Sequence, residues 1–90
     1  MQDLQKNPGR VIYSTNALSV IHRFANIHLL TNREAEIISL IALKGYSNKE
    51  IAQHCTISEK TVKVHIDKIM DKVGTRSMRK LLALIINTTV

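Results

Sequence analysis

Apolar side chains recur at helical spacing along most of this chain, and short polar signals mark where each run begins and ends. From Ser14 to Leu30, Leu18, Ile21, Ala25 and His28 keep that spacing, with Ala17, Phe24 and Ile27 beside them, which predicts an amphipathic helix. Upstream, Lys6-Asn7-Pro8-Gly9-Arg10 reads as a turn, so residues 1–13 are expected to form a loose arm. Thr31-Asn32-Arg33-Glu34 is a capping box: the Thr hydroxyl accepts from an orphan amide while Glu34 reaches back to the cap. The run it opens, Ile37-Ile38-Ser39-Leu40-Ile41-Ala42-Leu43, is apolar on most sides and stops at Gly45, which predicts a central buried helix.

Ser47-Asn48-Lys49-Glu50 is a second capping box, opening a short helix that buries Ile51, Ala52 and Cys55. A break at Cys55-Thr56-Ile57 follows. Ser58 then caps a longer helix, with Thr61 in the last place of a weaker box and Gly74 as its stop. Ser77 opens a final helix to about Asn87. The expected fold is all-α: a four-helix helix-turn-helix domain preceded by an N-terminal arm and one extra amphipathic helix.

The helix after Ser58 has two faces. Val62, Ile66, Ile69 and Val73 share one stripe, the spacing of a buried face. Lys60, Lys63, Val64, Asp67, Lys68 and Asp71 fall on another, and Thr61, His65, Lys68 and Lys72 run along its flank. Charge pairs on a solvated face account for any one of these residues. They do not account for Val64, a β-branched apolar residue set among Lys60, Lys63 and Asp67. In a DNA major groove its methyls meet a thymine methyl, Lys63 donates to guanine, and Asp67 accepts from cytosine N4. Thr61, His65, Lys68 and Lys72 then suit the flanking phosphates, with Lys60 beside them. Asp67 also admits a plainer account, an intrahelical pair with Lys63 or Lys68.

Charge strengthens the nucleic-acid reading. Thirteen Lys and Arg against seven Asp and Glu give a formal charge of +6, an excess that favours polyanions. Three Gly and one Pro in 90 residues are too few for an all-β chain of many turns. A single Cys excludes an intrachain disulfide and multi-cysteine zinc frameworks. His54 and Cys55 are neighbours that diverge on their helix, so neither a metal site nor a catalytic site is expected, and no cofactor. Aromatics at 3% argue against base-stacking platforms. The longest apolar run, Leu81 to Ile86, falls short of a membrane span, so no membrane partner and a cytoplasmic setting are expected.

Three segments together carry a family resemblance: Leu30-Thr31-Asn32-Arg33-Glu34, then Ser47-Asn48-Lys49-Glu50-Ile51-Ala52, then Ile57-Ser58-Glu59-Lys60-Thr61-Val62-Lys63-Val64-His65. They resemble the DNA-binding domain of LuxR/FixJ-type bacterial transcription regulators, from about Leu30 to Ile86. The resemblance implies a four-helix domain whose third helix enters the major groove and whose fourth mediates dimerisation on DNA. By it, Lys63 and Val64 match base-contacting positions, while Lys49, Ser58, Thr61, His65 and Lys68 match the phosphate-contacting shell. Cys55 stands where the family usually has Leu, Thr56 where it often has Gly, and Asp67 where neutral or basic residues are commoner.

On this reading, residues 30–90 form the DNA-binding domain and residues 1–29 an arm with an extra or linker helix. Residues 1–30 are too few for a receiver or sensor domain, which leaves a stand-alone regulator or an excised C-terminal domain. In the last helix Met78, Leu81 and Ile85 suffice for the core. Leu82, Ala83 and Ile86 are then surplus, an expected homodimer face for binding an inverted repeat. A rival reading uses the same face: a module that pairs with RNA polymerase or a second regulator and binds DNA weakly itself.

Overall fold

The computed structural model describes the backbone of residues 7–88 and the side chains of residues 17–88. Five helices follow one another: α1 (Asn7–Ile27), α2 (Asn32–Lys44), α3 (Asn48–Cys55), α4 (Glu59–Val73) and α5 (Met78–Asn87), with no strand among the described residues. The all-α architecture is the one the polar punctuation predicts. The expected arm is corrected in part. Residues 1–6 lie outside the described residues, but the helix starts at Asn7 rather than Ser14 and takes in Pro8 and Gly9. Pro8 stands in the first turn, where its missing N–H is not needed by the helix.

Local chemistry sets the helix ends. Thr31 Oγ1 accepts from the Glu34 amide at 3.1 Å, and the Thr31 amide donates to Glu34 Oε1 at 2.9 Å, which closes the first capping box. Ser47 and Glu50 close the second in the same way, at 3.2 and 2.8 Å. Ser58 and Ser77 cap α4 and α5 by accepting from the amides of Thr61 and Lys80. Gly45 and Gly74 end α2 and α4 in left-handed backbone, φ 67° and 87°. Among the described residues, two adopt that conformation without being glycine: Leu29 after α1 (φ 56°) and Thr56 after α3 (φ 58°). The Leu30 amide reaches back to the Ala25 carbonyl at 2.9 Å and closes α1 around Leu29.

The core is built where these helices cross. α2 packs on both α1 and α4, α3 packs on α4, and α5 packs on α1. Ile21 and Phe24 of α1, Ile37 and Ile38 of α2, Ile51 of α3, Val62 and Ile69 of α4 and Leu81 of α5 are fully buried together. Ala52 is buried as well, and its small side chain lets α4 cross close to α3. Cys55 and Val73 are partly buried against this cluster. In α1 only Ile21, Phe24 and Ala25 of the expected stripe are buried, while Leu18 and Ile27 face solvent. His28 borders the core as its ring meets Phe24 at 4.5 Å.

A buried carboxylate links α4 to α2. Glu34 is 3% exposed, and besides capping α2 it accepts from Lys72 Nζ at 2.7 Å. The same ammonium donates to the Leu29 carbonyl at 3.3 Å. Burial pushes the Glu34 carboxyl up, but the Lys72 hydrogen bond and charge, with the Thr31 amide and hydroxyl, outweigh it and hold the carboxyl below the usual glutamate range. The C-terminal turn of α4 is thereby tied to both ends of the α1–α2 junction.

Candidate nucleic-acid interface

The α3–turn–α4 unit positions the candidate site. The Thr56 amide donates to the Ala52 carbonyl, and the Ile57 amide reaches the same oxygen at 3.0 Å, so the chain turns sharply before Ser58 starts α4. Ile57 tucks against the core, and Val62, Ile66, Ile69 and Met70 anchor α4 along its inner side. The outer side is thereby fixed in direction. Met70 is a core residue the four-membered stripe omitted; it lies one turn on from Ile66 and next to Ile69.

Lys60, Lys63, Val64, Asp67 and Lys68 all face solvent on the outer side of α4. Val64 is 45% exposed, an apolar side chain held outward among charges. Thr61 and Ser58 stand at the start of the helix with their hydroxyls 2.9 Å apart, and His65 is half-buried on the flank. Lys49 is exposed in the first turn of α3. Lys60, Lys63, Val64, Asp67 and Lys68 share the outer side of α4, with Ser58 and Thr61 at its start.

Lys72 is elsewhere. Its ammonium is engaged by Glu34 and the Leu29 carbonyl, and its side chain is 35% exposed. Of the flank row, Lys72 is thus the member whose ammonium is paired within the protein. Asp67 pairs with neither Lys63 nor Lys68 among the described residues. Its carboxylate instead lies 3.9 Å from Arg76 Nη1, while Arg76 Nη2 donates to Asp71 Oδ1. Arg76 was not legible as a neighbour of this face, because helical spacing ends at Gly74 and only the left-handed turn there brings it back.

On α5, Leu81 and Ile85 are buried, Met78 and Leu82 are partly buried against the core, and Ala83 and Ile86 are exposed. Leu82 is one turn on from Met78 and one turn before Ile85, on the edge of the core stripe. The surplus apolar face is thus narrower than expected, Ala83 with Ile86, and Ile86 is 66% exposed.

Residues 28–85 match the family model described as "Bacterial regulatory proteins, luxR family". The chain is also similar to the oxygen regulatory protein NreC of Staphylococcus aureus. It is 51% identical over 53 residues to the proteins of strains JH9 and NCTC 8325, which covers 59% of this chain and 24% of theirs. The chain thus spans about a quarter of the length of the curated relatives it matches. No solved structure matches it. With a family model covering more than half of its residues, the chain belongs to the luxR family of bacterial regulatory proteins.

Proposed function

We propose that this domain reads double-stranded DNA sequence-specifically with α4 in the major groove, as a homodimer on an inverted repeat. The observation that carries the reading is Val64, held outward and 45% exposed between Lys60, Lys63 and Asp67. Water gives such a residue nothing, whereas a thymine methyl does. In this arrangement Lys63 donates to guanine O6 and N7, Val64 packs on a thymine and Asp67 accepts from a cytosine amino group. Lys49, Ser58, Lys60, Thr61, His65 and Lys68 meet the flanking phosphates and fix the register. The formal charge of +6 supplies the non-specific attraction that precedes reading. On this reading the domain works in the cytoplasm, where the DNA of a bacterium lies.

Ala83 and Ile86 support the pairing. Half-sites about one helical turn apart bring two copies into contact, and Ile86 is the large apolar side chain that α5 leaves outside. The same side chain supports a second reading, in which α5 receives RNA polymerase or another regulator and DNA binding is weak. Selection of binding sites from random duplexes at a fixed salt concentration separates the two. Enrichment of paired, inverted half-sites is the expected result. A library that emerges unenriched refutes sequence reading, and enrichment of single half-sites refutes the homodimer.

A further inference from the structure

The outer side of α4, the face proposed above to meet a duplex, carries two carboxylates. Asp67 and Asp71 are one turn apart in the last two turns of the helix, where the carbonyl end of the helix dipole is already negative. Asp67 is 71% exposed. Neither carboxylate has a partner within α4 among the described residues. The cation that answers them comes from beyond the helix: Gly74 turns the chain in left-handed backbone, and Arg76 reaches back to both.

The two contacts differ in kind. Arg76 Nη2 is hydrogen-bonded to Asp71 Oδ1, which fixes the guanidinium. Its Nη1 lies 3.9 Å from Asp67 Oδ1, too far for a hydrogen bond and close enough for charge attraction. Asp67 is therefore compensated in charge while its lone pairs keep their acceptor capacity. In water so exposed a cluster adds little to stability. Once a duplex displaces the water, charge interactions strengthen, and the compensation matters far more.

We propose, resting on the reading that α4 enters the major groove, that Arg76 is the positioning residue that sets base preference at Asp67. It cancels the repulsion between the two carboxylates and the phosphates, so Asp67 can stay in the groove as an acceptor for a base amino group. Without Arg76 the same carboxylate is a repulsive charge. Arg76 acts through Asp67 and Asp71, and a phosphate contact of its own is the competing explanation.

A mutant cycle on the full chain tests this, read by fluorescence anisotropy on the selected duplex and on one changed at the base pair facing Asp67. Arg76→Gln is expected to weaken the selected duplex about tenfold in the natural background. In an Asp67→Asn, Asp71→Asn background the same change is expected to cost less than about threefold, because no repulsion is left to cancel. That background should also lose the preference at the one base pair. Arg76→Lys, which keeps the charge, should retain most of the affinity. Melting curves of all variants should superimpose, since the cluster is exposed. An equal cost of Arg76→Gln in both backgrounds assigns Arg76 to a phosphate and overturns the proposal, as does Arg76→Lys behaving like Arg76→Gln. A natural domain that prefers no duplex overturns the groove reading itself, and this inference with it.

Discussion

Replacing Lys72 with methionine tests whether this lysine serves the fold or the DNA. The substitution keeps most of the aliphatic stem and removes the ammonium. Glu34, 3% exposed, then loses a charge-assisted hydrogen bond of 2.7 Å and keeps only the Thr31 amide and hydroxyl. Breaking a fully buried ion pair costs about 3–5 kcal/mol, and an exposed one about 0–1 kcal/mol. The 35% exposure of Lys72 sets this pair between those limits, at about 2 kcal/mol. For a domain of this size that lowers Tm by about 8–16 °C. The pH dependence has a definite sign. Glu34 titrates below its ordinary value, so its contribution is complete above the unfolded-state glutamate value of about 4.3 and is lost as pH falls through the lower folded value. The gap in Tm between the natural protein and Lys72→Met should therefore be widest near neutrality and narrow on acidification. Circular dichroism melts across pH measure this, with DNA titrations across salt alongside. A variant that melts within about 2 °C of the natural protein, yet binds DNA with a salt slope lowered by about one, would refute the reasoning and return Lys72 to the phosphates.

Lys63→Ala is expected to cost about 1–3 kcal/mol in binding and to relax one base position, whereas Lys68→Ala should weaken all sequences alike and lower the salt slope by about one; titrations on selected and random duplexes distinguish the two. Ile86→Asp should keep full helicity by circular dichroism and abolish cooperative binding to paired half-sites in gel shifts, and a loss of helicity would place Ile86 in the core. Thr56→Gly removes a β-branched side chain from left-handed backbone and should raise stability by about 0.5–1 kcal/mol in denaturant melts. A loss of stability there would mean that Thr56 makes a contact its exposed position does not suggest.

What was legible in the sequence is what neighbouring residues decide. The caps at Thr31, Ser47, Ser58 and Ser77 act over three positions, so their chemistry can be read without knowing the fold. The stripe of Val62, Ile66 and Ile69 is equally local, and it points Lys63, Val64 and Asp67 outward by subtraction. Lys72 escaped this reasoning because its partner is 38 residues away and Glu34 already had a complete role as a cap. Arg76 escaped because spacing rules stop at a helix end. The start of α1 was misplaced because Pro-Gly signals a turn and the first turn of a helix equally well. Leu82 was misplaced because an end helix with apolar residues on two adjoining stripes does not show which stripe lies at the edge of the core.

The separation of faces on α4 has a consequence for how such a domain changes over generations. Residues that hold the helix in place, Val62, Ile66, Ile69 and Met70, share no position with those that face outward, Lys60, Lys63, Val64, Asp67 and Lys68. Substitutions at exposed positions ordinarily shift stability by no more than about 0.5 kcal/mol, so the outward face can change one residue at a time without approaching the unfolding threshold. The exception is the charge triad: on the proposed role of Arg76, Asp67, Asp71 and Arg76 constrain one another, so a lineage that abandons one is pressed to exchange the others. Covariation among these three positions, set against independent change at Lys63 and Val64, is the historical trace such an arrangement leaves.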